Sequence, residues 1–317
     1  MANDADRLSD TTSHWRLNEV VAGLRKARHD WRQLTGRNQD LGGRELPSPQ
    51  ALREAIEKLR GALFPMRLGP ADLREESEDF YVGHTLDSAL NTLYQQALLE
   101  LRYTARQSSF PGSAEDRARQ IVQDFALALP GIRHTLDSDV LAAFRGDPAA
   151  RSVDEVLLCY PGIIAIIHHR LAHHLYQSGL PLLARIIAES AHADTGIDIH
   201  PGARIGSGFF IDHGTGVVIG ETAVIGERVR LYQAVTLGAK RFRKDESGHL
   251  EKGAPRHPVI EDDVVIYAGA TLLGRIVIGR GSVIGGNVWL TQSVPPESHI
   301  SQASLLQGDS QTTPQAG

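Results

Sequence analysis

The stretch "FFIDHGTGVVIG", residues 209–220, places Asp212 and His213 inside an apolar run that is rich in glycine. An imidazole has a pKa close to neutrality, so a histidine can take a proton from a hydroxyl group at physiological pH. The chemistry open to such a residue is general base catalysis of attack by an oxygen nucleophile. The stretch by itself leaves two interpretations of His213: a working base, or a polar residue at a turn.

A second group of titratable side chains lies in "HHRLAHH", which holds His168, His169, His173 and His174. Histidines four residues apart share one face of a helix and can bind a metal ion together. No carboxylate or cysteine falls on the same turn. We therefore expect this cluster to be structural and predict no metal site.

The single cysteine, Cys159, lies in the apolar segment "VDEVLLCYPGI". One cysteine excludes an intramolecular disulfide and a cysteine-based zinc site. In this setting we expect a buried, inert thiol.

Length and charge limit the class of protein. The chain has 317 residues, which suggests about two domains, with a net charge of −5 and a pI near 6.3. Nucleic-acid binders usually carry a basic excess, so nucleic acid is disfavoured as a partner. The polar N-terminus has no apolar signal region and no window approaches 18 uninterrupted apolar residues, so we expect no membrane span and a cytoplasmic location.

A six-residue repeat runs through the second half of the chain. Aliphatic residues recur every six positions at Ile199, Ile205 and Ile211, at Ile219, Ile225, Leu231 and Leu237, and at Ile260, Ile266, Leu272, Ile278, Ile284 and Leu290. This period fits neither a helix nor a long strand, but it fits a short strand plus a turn repeated many times. It predicts a left-handed parallel β-helix with three hexads per triangular coil and about four coils.

The first interruption of the repeat contains the suspected base. The step from Ile211 to Ile219 is eight residues, so two extra residues lie in the segment that holds His213. Gly214 and Gly216 provide the backbone freedom for a turn there. The insertion predicts that His213 lies off the regular ladder.

The second interruption predicts an expelled loop over residues 239–257. The step from Leu237 to Ile260 is 23, five residues more than three hexads, and the intervening segment is polar. Long loops on rigid scaffolds often carry function. Its basic residues Lys240, Arg241, Arg243 and Lys244 are candidates for phosphate contacts or, alternatively, a solvated charge run.

The first half of the chain has the apolar spacing and the start signals of α-helices. "SHWRLNEVVAGLRKARHDW" repeats apolar residues at helical spacing, and "SPQALREAIEKLRGAL" begins with a serine cap and a proline. Further helical patterns cover roughly Thr85–Tyr103, Ala114–Leu129, Asp139–Phe144, Val153–Gln177 and Leu182–Glu189. We therefore expect an α+β chain with an all-α domain over 1–193, the left-handed β-helix over 194–296, and a flexible C-terminal tail over 297–317.

Three motifs carry a resemblance to a known family. "DIHP", "IDHGTGVVIGETAV" and "RHP" stand in this order among the hexads, and the match extends back through "GDPAARSVDEVLLCYPGI". Together they resemble the serine O-acetyltransferases of the hexapeptide-repeat acyltransferases, in the type with a long helical N-terminal region. The resemblance implies transfer of an acetyl group from acetyl-CoA to L-serine for cysteine synthesis, with acetyl-CoA as co-substrate and no permanently bound cofactor.

The resemblance assigns a role to each site residue. His213 is the general base, and Asp198 of "DIHP" is the carboxylate that orients it. Arg256 and His257 hold the carboxylate group of serine, while Asp147 and Asp212 face its ammonium group. Without the resemblance, Asp147 reads as an ordinary cap and Asp212 as a solvated turn carboxylate.

The resemblance also implies a CoA path and partners. Gly238 and the segment Ala268, Gly269 and Ala270 lie on the path of CoA along the edge of the β-helix. The β-helices form a homotrimer, or a dimer of trimers, with active sites between subunits. The C-terminal sequence "ESHISQASLLQGDSQTTPQAG" lacks the A-G-x-P-A element and the final isoleucine common in the family. O-acetylserine sulfhydrylase is therefore a doubtful partner, and so is part of the adenine end of the CoA site.

Other functions remain open on the sequence. A γ-carbonic-anhydrase-like zinc lyase uses the same fold with three histidines, and this repeat region contains His200, His213, His249 and His257. An acetyltransferase for homoserine or a sugar is a second alternative, and a scaffold without catalytic activity is a third. The contexts "DHGTG" and "RHP" favour the serine enzyme.

Overall fold

The computed structural model describes residues 15–36, 46–107, 112–241, 248 and 253–303. The chain divides into two compact units, one ending at Glu45 and one beginning at Leu46. Of the sequence predictions, those on Arg243, Lys244, His249 and residues 304–317 lie outside the described residues.

The described part of the first unit is one helix, α1, over Leu17–Leu34. This confirms the helix predicted from the apolar spacing in that segment. None of the residues of α1 is buried within this chain.

The described residues of the second unit begin with seven α-helices and one short 3-10 helix. They are α2 (Pro49–Leu63), α3 (Pro65–Leu68), the 3-10 helix Glu75–Ser77, α4 (Glu78–Gln107), α5 (Ala114–Gly146), α6 (Val153–Cys159), α7 (Pro161–Gln177) and α8 (Pro181–Thr195). The predicted start of α2 is confirmed, because Ser48 Oγ accepts a hydrogen bond from the amide of Ala51 and Pro49 occupies the first helical position.

Two helical patterns are joined or divided differently from the sequence prediction. The separate patterns at 114–129 and 139–144 form a single helix, α5, which contains Pro130. Phe125 and Leu136 are fully buried on either side of that proline, so packing offsets the one backbone bond that proline removes. The pattern expected to run without a break from 153 to 177 is divided, because Pro161 starts α7 after a bend of 75°.

Fourteen short parallel strands follow among the residues that the structure describes. They are β1 (Asp198–Ile199), β2 (Arg204–Ile205), β3 (Phe210–Ile211), β4 (Val218–Ile219), β5 (Val224–Ile225), β6 (Arg230–Leu231), β7 (Thr236–Gly238), β8 (Val259–Ile260), β9 (Val265–Ile266), β10 (Thr271–Leu273), β11 (Val277–Ile278), β12 (Val283–Ile284), β13 (Trp289–Leu290) and β14 (His299–Ile300). They form sheet A (β1, β4, β7, β10, β13), sheet B (β2, β5, β8, β11) and sheet C (β3, β6, β9, β12, β14). The predicted left-handed β-helix of hexapeptide repeats is therefore confirmed.

The register stacks equivalent residues of successive coils. Ile199 pairs with Ile219, which pairs with Leu237, and these side chains are buried in the interior of the prism. Two of the three edges of the prism carry predicted site residues. The C–A edge consists of the turns that lead from sheet C to sheet A, residues 212–217, 232–235, 267–270 and 285–288. The A–B edge consists of the connections from sheet A to sheet B, residues 200–203, 220–223, 239–258 and 274–276.

The β-helix extends beyond the predicted limit at residue 296 and beyond four coils. Val283 pairs with His299 in β14, and the amide of Gly285 donates to the carbonyl of Ile300 at 2.7 Å. The flexible tail predicted from residue 297 therefore begins too early. The hexad count missed this fifth, partial coil because Ile300 follows Leu290 by ten residues, which is not a multiple of six.

The predicted division at residue 193 is a change of secondary structure within the second unit, not a boundary between units. Helix and β-helix residues share one hydrophobic core. The buried carboxylate of Asp139 on α5 accepts bonds from Arg170 on α7 at 2.6 and 2.8 Å and from the amide of Phe209 at 2.9 Å. Arg170 also donates to the carbonyls of Ile205 and Gly206. This ion pair fixes both helices to the first coil.

Two further sequence predictions concern exposure and membrane spans. Cys159 is exposed, contrary to expectation, because α6 buries Val156 and Leu157 and directs its last residue away from them. In the described part of the chain, no single helix is long and apolar enough to cross a membrane. The bent pair α6 and α7 meets that length and composition test when the two are taken together.

Candidate active site

The two-residue insertion forms a wide turn on the C–A edge. His213, Gly214 and Gly216 all adopt left-handed backbone, with φ of 58°, 88° and 79°. The predicted role of the two glycines in turning the chain is confirmed. A histidine with positive φ is uncommon and carries a local backbone cost, which is typical of residues held in place for function.

The side chain of His213 points away from the ladder into solvent. It is 70% exposed, and its Nε2 lies 3.9 Å from Oδ1 of Asp212. A ring in this position can reach a substrate outside the prism. The insertion is what releases it, because regular hexad positions either enter the core or line a flat sheet.

Asp212 lies beside His213 and is buried against an arginine that the sequence analysis did not single out. Arg230 Nη2 donates to Asp212 Oδ2 at 2.7 Å, and Nη1 donates to the carbonyl of Gly146 at 2.6 Å. The guanidinium also stacks over the rings of Phe210 and Tyr232. Arg230 therefore connects the insertion turn to the end of α5.

Asp147 directly follows the end of α5 and lies near the charged residues of the insertion turn. The hydroxyl of Tyr160 donates to Asp147 Oδ2, and the amide of Ala149 donates to Oδ1 at 2.8 Å. The Tyr160 bond, with the Ala149 bond, lowers the pKa of Asp147. The same Asp147 bond is the main cause that raises the pKa of Tyr160 to about 12. The structure thus holds a second ionised carboxylate near the insertion turn.

Asp198 is the predicted partner of His213, but in the single chain it lies among other side chains. Ligand atoms of Glu189, His192 and Asp198 are all within 4.8 Å of one another. Among the described residues, no hydrogen bond or ion pair joins Asp198 to His213. The predicted dyad stays a prediction, with both members near the start of the β-helix.

Arg256 and His257 lie on the A–B edge, at the end of the expelled loop. Arg256 Nη2 contacts Glu221 Oε2 at 2.6 Å. The amide of Thr222 donates to Nδ1 of His257 at 3.0 Å, which leaves the ring proton on Nε2. Burial, with the nearby Arg256 charge, lowers the pKa of His257 to about 4. This ring is therefore neutral at pH 7, and its Nε2–H group can donate a hydrogen bond.

Gly220 explains how the His257 ring fits there. A Cβ atom at Gly220 would lie 2.1 Å from the ring of His257, so only glycine leaves room for it. The ring is held between this glycine and Thr222. Such a fixed position suits recognition of a carboxylate group.

The predicted site residues therefore form two groups on different edges. Asp147, Asp212 and His213 meet at the C–A edge, whereas Arg256 and His257 lie at the A–B edge, with the width of sheet A between the edges. Within one chain the structure does not bring the two groups together.

The predicted CoA residues also divide between the edges. Ala268, Gly269 and Ala270 form the third turn of the C–A edge, above the turn of His213. Successive turns are joined by backbone bonds, from the amide of Ala234 to Thr215 O and from that of Gly269 to Gln233 O. Gly238 ends β7 on the A–B side, and Lys240 and Arg241 follow it in the described part of the loop.

The histidine cluster on α7 makes structural contacts. His168 Nδ1 bonds to the carbonyl of Ile164 at 2.8 Å and His173 Nδ1 to that of Pro201 at 2.7 Å. Burial lowers the pKa of His168, His169, His173 and His174. The structural interpretation of this cluster is supported by these contacts.

Four residues that hold the predicted site groups were not predicted from the sequence. They are Tyr160, Glu221, Thr222 and Arg230. Three of them carry a usable sequence signal. Arg230 stands one coil after Phe210 in the ladder, and Glu221 and Thr222 belong to the "GETAV" part of the motif that also contains His213.

Known proteins with similar sequences or structures define the class to which this chain belongs. Residues 257–292 match the family model described as bacterial transferase hexapeptide (six repeats). The plasmid serine acetyltransferase of Synechococcus elongatus is 57% identical over 92% of each chain. Serine acetyltransferase 1 of Entamoeba histolytica, solved with L-cysteine, is 39% identical over 78% of this chain and 85% of that chain, with a TM-score of 0.68. The Neisseria gonorrhoeae enzyme solved with serine is 28% identical over 79% and 94%, with a TM-score of 0.51.

The fold and the family model define a hexapeptide-repeat transferase. The identity with the Synechococcus enzyme extends over nearly the whole length of both chains. The chain therefore belongs to the serine acetyltransferase family. The function and enzyme class predicted from the motifs are confirmed. The alternatives with another acceptor or with zinc lyase chemistry are not favoured by these relatives.

Proposed function

We propose that the chain transfers the acetyl group of acetyl-CoA to the hydroxyl of L-serine, with His213 as general base. The observation that carries this proposal is the meeting of His213 with the carboxylates of Asp212 and Asp147 at the insertion turn. A hydroxyl group needs a base to attack a thioester, and an ammonium group needs negative charge beside it. Both requirements fall on the same turn.

In the proposed reaction, His213 both accepts the proton from serine and returns it to the leaving group. His213 removes the hydroxyl proton as the serine oxygen bonds to the carbonyl carbon of the thioester. When the tetrahedral intermediate collapses, the carbon–sulfur bond breaks and the imidazolium of His213 returns the proton to the CoA thiolate. Asp198 would stabilise the imidazolium, which requires its carboxylate to turn from His192 toward His213.

We further propose that the active site is completed between subunits of a homotrimer. The carboxylate-binding pair Arg256 and His257 lies one edge away from His213 in its own chain. Packing of the A–B edge of one prism against the C–A edge of the next would bring the two groups into one cleft. Two trimers joined as a hexamer, and the cytoplasmic location, stay predictions.

The activity test measures release of the CoA thiol with serine, threonine, homoserine and a sugar as acceptors. We expect turnover with serine, and a loss of roughly 10²- to 10⁴-fold in kcat for His213→Ala. His299→Ala, at the far end of the β-helix, is the matched control and keeps native rates. Undiminished turnover by His213→Ala would refute the base assignment.

A complementation test addresses the shared site. His213→Ala and His257→Ala subunits, each nearly inactive alone, are mixed by co-expression. If each site takes His213 from one subunit and His257 from its neighbour, random head-to-tail assembly restores roughly a quarter of the native activity. No recovery in mixed oligomers would show that both residues serve a site within one chain.

We also propose that L-cysteine occupies the serine site, since its thiol differs from the serine hydroxyl by one atom and the Entamoeba relative was solved with cysteine. Inhibition competitive with serine is the expected result. Inhibition competitive only with acetyl-CoA would contradict it.

A further inference from the structure

Sheet A carries a straight column of outward-facing side chains that begins beside the proposed catalytic residues. The first residues of its strands pair in exact sequence register: Asp198 with Val218, Val218 with Thr236, Thr236 with Thr271, and Thr271 with Trp289. Their neighbours along each strand point inward and are buried. The column therefore joins the predicted dyad carboxylate at one end to Trp289 at the other.

Trp289 is an unusual residue at that position. The residue is 65% exposed, on a strand whose second residue, Leu290, is buried. Among the described residues of the β-helix, the large apolar side chains that stay exposed are Val218, Tyr267 and Trp289. All three lie on sheet A or on the C–A edge beside it. The exposed apolar surface of the prism thus coincides with the face next to His213.

Spacing along the column suits one particular ligand. Val218 begins the strand that follows the turn of His213, and Trp289 lies three strands further on. Neighbouring strands are about 4.8 Å apart, so the separation along the axis is about 14 Å. The pantetheine arm of acetyl-CoA carries two amides and is comparable to an extended tetrapeptide, which reaches roughly 14 Å. A thioester at His213 therefore brings the nucleotide end to the level of Trp289.

We infer that Trp289 stacks against the adenine ring of acetyl-CoA and sets the affinity for the nucleotide part of the co-substrate. The inference rests on the proposed function. An indole offers a flat apolar face, and base–aromatic stacking needs no particular hydrogen-bond pattern. Asn287 lies two residues earlier in the adjoining turn of the C–A edge, where its carboxamide oxygen lies against Gly269 of the preceding turn.

The test compares acetyl-CoA with S-acetylpantetheine, which has the same thioester arm but no nucleotide. Steady-state kinetics with saturating serine are measured for the native enzyme, Trp289→Ala and Trp289→Phe. The matched control is Trp31→Ala, which removes a tryptophan side chain from α1. Trp289→Ala should raise KM for acetyl-CoA roughly 5- to 150-fold at unchanged kcat, because the lost contact is remote from the reacting atoms.

Three further results are expected. The KM for S-acetylpantetheine stays within about twofold of native in Trp289→Ala. Trp289→Phe retains most of the affinity for acetyl-CoA, because an aromatic face remains. Trp31→Ala leaves the KM for acetyl-CoA and the KM for S-acetylpantetheine unchanged. Equal effects on both thioesters, or no effect on acetyl-CoA, would overturn the inference while leaving the proposed function intact.

Light scattering on the same variants separates adenine binding from a structural role. If Trp289→Ala changes the mass of the oligomer, sheet A is an interface between copies of the chain at this position and the inference is wrong. If the native enzyme releases no CoA with serine, the proposed function fails and the inference fails with it.

Discussion

The C–A edge shows how single residues are held for chemistry. His213 has positive φ and an exposed ring, whereas its neighbour Asp212 is buried and fixed by Arg230. The exposed member of this pair is the proposed proton acceptor, and the fixed member is the proposed substrate contact. A serine molecule placed there would meet a buried, paired carboxylate and an accessible imidazole ring.

At this scale, we predict that Asp147→Asn weakens serine binding. Asparagine preserves shape and the hydrogen bond with Tyr160, but it removes the charge opposite the ammonium group. Loss of a charged hydrogen bond predicts an increase of about 10- to 100-fold in KM for serine, with little change in KM for acetyl-CoA. Initial-rate kinetics with each substrate varied provide the measurement.

Asp154→Asn is the control for this variant. Asp154 on α6 forms an exposed ion pair with Arg67 on α3, so its loss should leave both KM values unchanged. An Asp147→Asn enzyme with native affinity for serine would contradict the ammonium assignment.

Elements position this site through close contact of a helix with the first coil. A Cβ atom on Gly162, at the start of α7, would lie 2.4 Å from the carbonyl oxygen of Ile211. Ile211 directly precedes Asp212. The glycine therefore lets α7 approach the backbone that carries the site, and the buried pair of Asp139 and Arg170 fixes the helix in that place.

We predict opposite effects on stability for two glycine-to-alanine variants. Gly162→Ala should lower the free energy of unfolding by about 1–3 kcal/mol, because the methyl group forces α7 away from β3. Gly83→Ala, in α4, should raise it by about 0.5–1 kcal/mol, since nothing lies within 4 Å of the new methyl group and glycine disfavours a helix. Urea denaturation measures both.

Activity adds a second readout to the same pair. Gly162→Ala should also lower kcat/KM for serine, because Asp212 moves with Ile211, while Gly83→Ala keeps native kinetics. Equal stability of the two variants would show that α7 adapts to the methyl group without strain.

The whole molecule carries several histidines that are kept neutral by the fold. Burial is the first cause that lowers the pKa of His168, His169, His173, His174, His200 and His257. Below about pH 6.5 the unfolded chain binds protons at these rings that the folded chain does not. Stability is therefore present above that pH and is lost as the pH falls toward the lower folded-state pKa values.

Two buried carboxyl groups act in the opposite direction. Burial is the main cause that raises the pKa of Glu100 and of Asp139. Above about pH 4 the folded chain retains protons there that the unfolded chain has released, so these two groups favour folding as the pH falls. Six histidines outnumber them, and we expect a net loss of stability from pH 7 to pH 5.

We predict that His169→Leu reduces this pH dependence. His169 is fully buried and its pKa is lowered in the folded chain. Below the unfolded-state pKa, this one ring therefore lowers the free energy of unfolding by up to about 1.4 kcal/mol for each pH unit. Urea midpoints at pH 7, 6 and 5 should converge in the variant relative to the native chain. His192→Leu, an exposed position, is the control. An unchanged slope in His169→Leu would contradict the prediction.

The degree to which the site could be predicted differs among its residues. The motif around His213 predicted a base there and located the two turn glycines and Asp212, because an insertion in a regular repeat is visible in the sequence. Arg230 and Tyr160 were not found, because they contact Asp212 and Asp147 from another coil and another helix. The burial of Cys159 was wrongly predicted, since an apolar segment does not reveal which side of a short helix faces the core.

The sequence by itself determined the β-helix, the direction of its aliphatic residues, the family and the place of the insertion. These properties follow from the six-residue period and from local motifs, which depend on neighbours along the chain. Only the tertiary structure decided the fifth coil, the union of helices and β-helix in one core, and the separation of His213 from His257 on two edges. Those depend on contacts between residues far apart in sequence, and their energies are not encoded in any local pattern.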